Sequence, residues 1–257
     1  SNVVFDDITT ESSYGSCLKF SFSSNKSAKL YIHDTLMYKC KLNSNSGGAL
    51  FLDFAPKVLE LQISKTVFKE CSAKSSGSAI YLTGSVNLTG NSKISSSEFT
   101  NCTTEDRGVL NLTLKYSLQL ANLTFKDNQS GLCILYINNI GLKLMHILDT
   151  LTFQGNKSST QLCFEGRDTE GQLKVSNLVM ENNVGAMGDF SYCTIIAKGM
   201  RLISNTDPFM LAHVLAEWTG LEAASNTSEN SASVIELFID SKLTCIDCHF
   251  SYNTGSV

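Results

Sequence analysis

Residues 118–128 read L-Q-L-A-N-L-T-F-K-D-N and contain the frame on which the chain is built. Leu118 and Leu120 are two residues apart, as side chains on one face of a strand are. One extra residue before Leu123 predicts a bend, after which the alternation resumes to Phe125 and an Asn follows. The stretch therefore predicts two short strands that are joined by a bend and closed by a polar anchor.

The same frame recurs along the chain, which identifies it as a repeat. Each copy carries two spaced pairs of mostly apolar residues and ends in an Asn or a Cys. Self-similarity at intervals of about 20 to 30 residues is typical of stacked repeats, in which each unit contacts its neighbours. Besides Asn128, the anchors that close the copies are Cys40, Cys71, Cys102, Asn156, Asn183, Asn205, Asn226 and Asn253.

A Gly/Ser-rich corner and a second apolar run follow the anchors. Gly47 and Gly48 precede the run 49–52, and Gly77 precedes the run 79–82. Glycines suit corners that need a positive φ, and the runs are rich in residues that favour strands. No segment sustains a helical period. We therefore predict an all-β fold, a right-handed single-stranded parallel β-helix of about nine to ten coils, as one domain over residues 1–257.

Stacked coils would place like residues in columns. Phe68, Phe99, Phe125 and Phe153 are expected in one inward file at the spacing of about 4.8 Å between strands. The Asn and Cys anchors are expected in a second column, where each Asn can pair with the Asn of the next coil. The alternative fold is a leucine-rich-repeat solenoid, because residues 120–128 also fit L-x-x-L-x-L-x-x-N.

Two motifs carry a resemblance to known repeat families. F-x-x-N occurs at 125–128 and 153–156, and G-G-A-[IL] occurs at 47–50. The repeats resemble those of the chlamydial polymorphic outer-membrane proteins and of the wider pectin-lyase-like β-helix families. The resemblance implies a β-helix that acts either as a surface adhesin or as a polysaccharide-cleaving enzyme.

Composition limits the classes of partner. The 257 residues carry a net charge of −4 and three arginines, so no basic stripe could follow a nucleic-acid backbone. No apolar run approaches the roughly 18 residues that a membrane-spanning helix needs. The chain has no recognisable signal peptide, and the frame is already under way at Val3. We therefore expect a mature or excised segment of a longer chain or fibre.

Eight N-x-S/T sequons and nine cysteines favour an extracellular glycoprotein. Each sequon has the form that N-glycosylation requires in a protein secreted by a eukaryote. The predicted glycosylation sites are Asn25, Asn87, Asn101, Asn111, Asn122, Asn128, Asn156 and Asn226.

The cysteines suggest disulfides between coils. Cys40, Cys71 and Cys102 share one column at a 31-residue spacing, which would bring neighbouring Cα atoms to about 5 Å, within the range of a disulfide. Cys133 and Cys163 form a second candidate pair. The alternative is a ladder of reduced, buried thiols.

Cys245 and Cys248 form a C-x-x-C, a spacing that elsewhere suggests redox chemistry or a zinc site. Both occupy the inward frame positions that Leu120 and Leu123 hold, and no second ligand pair lies at zinc-finger spacing. The sequence therefore favours filling of the core at these two positions.

Polysaccharide cleavage is the alternative function. Residues 205–207 read N-T-D, and hydrolases of the pectin-lyase-like class use such a segment together with a D-D pair and a nearby His. Here the D-D pair is Asp6 and Asp7, about six coils from Asp207, and His213 follows in a hydrophobic run. The distance predicts that the chain is not an enzyme. No cofactor is expected, nor any metal column, because His33, His146 and His249 share no frame position.

The sequence therefore predicts a non-enzymatic, extracellular, glycosylated β-helix with a structural, fibre-forming or adhesive role. An adhesin would expose an apolar or aromatic stripe, for which Tyr116, Tyr136 and Tyr192 are candidates. The expected partners are copies of the chain or flanking coils docked end to end, because no capping helix is visible in the sequence. Glycans or other cell-surface molecules are further expected partners.

Overall fold

The computed structural model describes residues 3–10, 15–22, 27–54, 58–83, 88–166 and 171–255. These ranges form 26 β-strands and no helix, so none of the described residues lies in a helix long and apolar enough to cross a bilayer.

The first thirteen strands are β1 Val3–Asp6, β2 Thr9–Thr10, β3 Leu18–Phe22, β4 Ser27–His33, β5 Thr35–Tyr38, β6 Lys41–Leu42, β7 Leu50–Phe54, β8 Val58–Ser64, β9 Val67–Lys69, β10 Ser72–Ala73, β11 Ile80–Thr83, β12 Lys93–Thr100 and β13 Thr103–Thr104. The others are β14 Leu110–Leu114, β15 Gln119–Lys126, β16 Gln129–Ser130, β17 Cys133–Asn139, β18 Met145–Gln154, β19 Lys157–Glu165, β20 Gln172–Ser176, β21 Val179–Glu181, β22 Val184–Ile203, β23 Phe209–Ala224, β24 Ile235–Leu237, β25 Lys242–Ile246 and β26 His249–Ser251.

Each strand pairs in parallel with the equivalent strand of a neighbouring coil. Ile94 of β12 pairs with Leu120 of β15, which pairs with Leu148 of β18. The chain is therefore a parallel β-helix, as the frame predicts, with about eight turns rather than nine to ten. The leucine-rich-repeat alternative is wrong, because the arc after the anchor forms the parallel-paired strands β16 and β17.

Three faces make up a coil, and we name them from the coil that contains β15. Face A is residues 119–121, face B is residues 123–126, and face C is the strand Cys133–Asn139. Equivalent segments of the other coils carry the same names. Asn122 separates faces A and B, and Asp127 ends face B.

Both bends hold a residue with positive φ in every coil where they are described. Non-glycine residues adopt this left-handed conformation uncommonly, and Asn and Asp are enriched among those that do. The bend that opens face B is at Asp34, Lys65, Ser96, Asn122, Thr150, Asn177, Gly199, Gly220 and Asp247. The bend that closes it is at Asp7, Lys39, Glu70, Asn101, Asp127, Gly155, Asn182, Ser204, Ser225 and Tyr252.

The interior of the coil contains the predicted file of phenylalanines. Phe68, Phe99, Phe125 and Phe153 stack one on the next, with centroids 4.7–5.0 Å apart and ring planes within 12° of parallel. All four are fully buried. Contacts between aromatic rings of this kind add about 0.5–1.5 kcal/mol per pair to the burial of their surface. The prediction of a single inward file is confirmed.

Candidate functional site

A ladder of asparagine side chains runs along the corner after face B. The Nδ2 of each Asn anchor donates to the Oδ1 of the next, at 2.9–3.1 Å. It also donates to a backbone oxygen of the preceding coil, at 2.8–3.0 Å. The members are Asn128, Asn156, Asn183, Asn205, Asn226 and Asn253.

The ladder satisfies each interior amide completely. The Oδ1 of Asn156 accepts both the backbone N–H and an Nδ2 proton of Asn128, while its own Nδ2 donates twice. An amide side chain has two donors and two acceptor lone pairs, so its capacity is used in full. Because these groups are buried, loss of one member would leave several polar atoms without partners.

Sulfur replaces amide nitrogen in the early coils. The thiol of Cys71 donates to the backbone oxygen of Met37 at 3.3 Å, and that of Cys102 donates to the oxygen of Phe68 at 3.4 Å. The Asn anchors use the equivalent oxygens. Burial also raises the pKa of Cys102, which keeps this thiol protonated and a poor nucleophile.

The column of cysteines does not form disulfides within itself, so this part of the prediction is wrong. Cys71 and Cys102 are free, buried thiols. Cys40 is bonded instead to Cys17, with Cα atoms 5.8 Å apart. Cys40 cannot bond to Cys71 because its sulfur is already in the disulfide with Cys17. The thiols of Cys71 and Cys102 donate hydrogen bonds to backbone oxygens instead.

Cys133 and Cys163 are joined by a disulfide between neighbouring coils, as their spacing suggested. Their Cα atoms lie 6.1 Å apart. The two residues are not opposite each other in the ladder, because Cys163 is paired with Tyr136. With Tyr136 and Leu132 they form a small apolar cluster outside face C, separate from the main core.

Cys245 and Cys248 form a third disulfide across the bend at Asp247. The prediction that they fill the core is wrong for Cys245 and is confirmed in part for Cys248, which packs against the main core. Both occupy inward frame positions, but Cys245 is exposed and Cys248 is only half-buried. Two inward side chains that flank a left-handed bend are close enough to bond, at a Cα separation of 6.0 Å.

Four predicted glycosylation sites have no room for a glycan. Asn128, Asn156 and Asn226 belong to the ladder and are at most 1% exposed. Their Nδ2 atoms, to which a glycan would be attached, each make two hydrogen bonds in the interior. Asn111 is 3% exposed and donates to the backbone oxygen of Arg107. The prediction is therefore wrong at these four positions of the folded chain.

The sequons of the ladder have a structural origin. The residue two places after an anchor lies in or beside the short paired segment that follows, where a small hydroxyl side chain fits. Ser130 is 5% exposed and donates to the backbone oxygen of Asp106. Ser228 donates to Asp207 at 2.8 Å. An Asn anchor followed two residues later by this serine has the sequence N-x-S. The motif is therefore explained by packing alone and does not require a glycan.

Two of the sequons in the described ranges are accessible. Asn101 and Asn122 are exposed, and each lies at a left-handed bend, with φ of 52° and 53°. Asn25 and Asn87 lie outside the described residues. Asn101 and Asn122 are therefore the described positions that fit a glycan.

A polar groove lies beside Asn101, where strands β6, β10, β13 and β16 stack. It has a volume of about 660 Å³. Leu42, Ala73, Thr104 and Ser130 form its floor in register. The walls carry hydroxyl, amide and charged groups, including those of Asn43, Ser72, Lys74, Thr103, Glu105 and Gln129.

A hydrogen-bonded network that the sequence did not predict lies outside face C. Nη1 of Arg107 donates to the phenol oxygen of Tyr136 at 2.9 Å, and the phenol donates to Glu165 at 2.6 Å. The guanidinium also lies over the Tyr136 ring, 5.1 Å from its centroid. Burial and the Glu165 carboxylate raise the pKa of Tyr136. The three residues come from three successive coils, so only the register brings them together.

The tyrosines proposed for an adhesive stripe do not form one. Tyr136 is 2% exposed, and Tyr116 packs against the main core. Tyr192 is 46% exposed and stacks on His213, with centroids 4.6 Å apart. A partly covered cleft with a volume of about 330 Å³ lies near Tyr136 and is also lined by Tyr81. The aromatic residues therefore lie in separate environments.

The residues considered for polysaccharide cleavage have other contacts. Asn205 is a ladder member, and Asp207 accepts a hydrogen bond from Ser228. His213 lies 3.7 Å from the carboxylate of Asp240. Among the described residues, no three His, Cys, Asp or Glu side chains meet in an arrangement that could hold a metal ion.

His146 is a buried core residue rather than a surface ligand. Its Nδ1 accepts the backbone N–H of Leu118 at 3.4 Å, which places the proton of the neutral ring on Nε2. The buried Nε2 has no hydrogen-bond partner. The imidazole ring packs against the ring of Phe164 in a T-shaped arrangement, with an angle of 65° between the two ring planes. Burial lowers the pKa of His146 to about 4.

Comparison with known proteins finds no matching protein family, no similar curated protein and no similar solved structure.

Proposed function

We propose that the chain is an extracellular, non-enzymatic β-helix that serves as a structural or adhesive rod. The observation that carries the proposal is the bonding of neighbouring coils by Cys133–Cys163, together with the disulfide Cys17–Cys40. Disulfides persist in oxidising compartments and are rare in the cytosol.

The interior of the solenoid supports a role that depends on stiffness. Neighbouring coils are joined by backbone ladders and by stacked core side chains, and the coils from Asn128 to Asn253 also by the Asn ladder. In a solenoid, such nearest-neighbour contacts are repeated along the axis, so resistance to bending is distributed over the whole length. A rod of this kind can hold its lateral faces at a fixed distance from an attachment point.

The resemblance of the F-x-x-N and G-G-A-[IL] motifs to repeats of surface adhesins supports the adhesive form of the proposal. The partners we propose are glycans or other cell-surface molecules that contact the lateral faces. The polar grooves near Thr103 and near Tyr136 are concave surfaces with hydrogen-bonding side chains, which such ligands require.

A β-coil of the same repeat is the partner we propose for the strands β24–β26. Phe250 belongs to the column of Phe125 yet is 49% exposed, and Leu237 and Phe238 are 48% and 45% exposed. An apolar surface beside an open strand edge is complementary to another coil in register. Chemical cross-linking followed by peptide mapping would detect such a contact, whether within one chain or between copies.

Disulfide mapping of the protein from its native source tests the compartment. Cells are quenched with an alkylating reagent before lysis, and non-reduced peptides are analysed by mass spectrometry. We expect Cys17–Cys40 and Cys133–Cys163 to be linked, with Cys71, Cys102 and Cys193 alkylated only after unfolding. A chain with all four linked positions alkylated in the native sample would contradict an extracellular location.

A second assay tests the absence of catalysis. The folded protein is incubated with acidic and neutral polysaccharides, and the release of reducing or unsaturated ends is followed. We expect no release above that of heat-denatured protein. Release that is lost in the Asp207→Asn variant would replace the proposal with an enzymatic one.

A further inference from the structure

We infer that an N-linked glycan on Asn101 packs into the neighbouring groove and covers it. The inference rests on the proposed extracellular location and goes further, because it assigns one accessible sequon an ordered, groove-bound glycan and the other a free one. The groove would then be a binding site for a glycan that is covalently attached to the same chain.

The sequon itself connects the attachment point with the groove. Asn101 is exposed at the bend that closes face B, and the sequon hydroxyl belongs to Thr103, which lines the groove wall. Two residues span at most about 7 Å of chain. The first sugar on Asn101 would therefore begin at the rim of the groove.

The chemistry of the groove suits a saccharide that is already tethered. Ser72, Thr103 and Gln129 lie in register along one wall, at the spacing of successive coils. Their side chains both donate and accept hydrogen bonds. Lys74 and Glu105 contribute one charge of each sign to the lining. A volume of about 660 Å³ is within the usual range for sites that bind small ligands.

Asn122 provides the internal comparison. It lies on the bend between faces A and B, in a column with Ser96 and Thr150, which are exposed as well. This column forms an outward ridge of the coil. A glycan on Asn122 is expected to extend into solvent and to remain open to enzymes.

Native-state deglycosylation of the full chain, secreted from a eukaryotic host, tests the inference. Glycopeptide mass spectrometry first measures occupancy at Asn101 and Asn122. An endoglycosidase that cleaves within the N-glycan core is then applied to the folded protein. We expect release from Asn101 to be at least about tenfold slower than from Asn122, because access requires the glycan to leave the groove. The two rates should become equal after denaturation and reduction.

Two substitutions separate the groove from other causes of slow release. Ser72→Tyr fills the groove and leaves the sequon intact, and it should bring the Asn101 rate to within about twofold of the Asn122 rate. Lys69→Tyr adds the same ring on face B, on the other side of the Asn101 bend, and should leave release from Asn101 slow.

The possible outcomes distinguish the inference from the proposed function. Equal native rates at the two sites, or occupancy at Asn122 without occupancy at Asn101, would overturn the groove-bound glycan and leave the extracellular location standing. No glycan at either site would overturn the inference together with the glycosylated form of the proposed function.

Discussion

The side-chain amide of Asn156 donates to Oδ1 of Asn183 at 3.0 Å and to the backbone oxygen of Phe125 at 2.9 Å. One side chain thus links three successive coils. The corner after face B is therefore stabilised by groups whose partners all lie in other coils, and its stability depends on every member of the ladder.

Replacing Asn156 should show this dependence. Asn156→Ala leaves two N–H groups of Asn128 without partners in the interior, so we expect a loss of at least about 3 kcal/mol in the free energy of unfolding. Urea denaturation measures it. Lys126→Ala, on the exposed side of face B, is the control and should change stability by no more than about 0.5 kcal/mol. A similar small effect of Asn156→Ala would show that the ladder is dispensable.

Extending the ladder should stabilise the chain. Cys102→Asn places an amide where its Nδ2 can donate to Oδ1 of Asn128 and to the oxygen of Phe68, as the later anchors do. We expect a gain of about 1 kcal/mol, measured by urea denaturation of protein from the bacterial periplasm, since the substitution creates an additional sequon. Cys102→Ser is the control that lacks the second donor. Destabilisation by Asn relative to Ser would mean that the early coils cannot accept the amide geometry.

Substitutions in the phenylalanine file should show whether stability depends on the volume of the side chain at position 125 or on its aromatic ring. Phe125→Ala opens a cavity between Phe99 and Phe153 and should cost about 3–5 kcal/mol. Phe125→Met should cost less than about 1.5 kcal/mol, because Met37 and Met180 already occupy this column in other coils. Thermal and urea unfolding of both variants provide the comparison. Equal losses would indicate that ring stacking, rather than filling of the core, determines stability.

Acid should destabilise the chain through His146. Burial lowers the pKa of this residue to about 4 in the folded state, against 6.5 for an ordinary histidine. Below pH 6.5 the unfolded chain therefore takes up a proton that the folded chain refuses, and stability falls until the pH reaches about 4, by about 3 kcal/mol in total. His146→Leu, which matches Leu173 in the next coil, should remove this part of the pH dependence. An unchanged slope between pH 6.5 and 4 in the variant would assign the effect to other groups.

Two of the three disulfides should differ in their contribution to the free energy of unfolding. Cys133 and Cys163 are 30 residues apart, whereas Cys245 and Cys248 are three apart. Closing the longer loop restricts the unfolded chain more, so the Cys133→Ala/Cys163→Ala double variant should lose about 3–4 kcal/mol and the Cys245→Ala/Cys248→Ala variant about half as much. Urea denaturation under non-reducing conditions measures both losses. A larger loss at the short loop would contradict the entropic explanation.

The frame predicted the fold because stacking demands like residues at like positions. Phe125 and Asn128 recur in sequence for the reason that they contact their equivalents in space. The predicted nine to ten coils exceed the observed turns slightly, and the coil length varies between 21 and 32 residues.

The cysteine and glycan sites were less predictable because their signals are not those of the repeat. Cys17 lies in no frame position, so its bond to Cys40 could not be read from the column. The sequon pattern of Asn128 serves the ladder and the short strand that follows, and the same letters in Asn122 lie on an exposed bend. The two differ in frame position, because Asn128 is an anchor and Asn122 is the bend residue, but the sequon motif does not take account of that position.

The two left-handed residues that bound face B are five residues apart in every coil in which both are described. All of the variation in coil length therefore falls in the remaining arc, which contains faces A and C and the corners beside them. A peptide inserted in that arc would enlarge a lateral loop while the bounded segment kept its register. The chain is thus suited to the display of inserted epitopes, because the variable arc tolerates insertions while face B keeps a constant length in every coil.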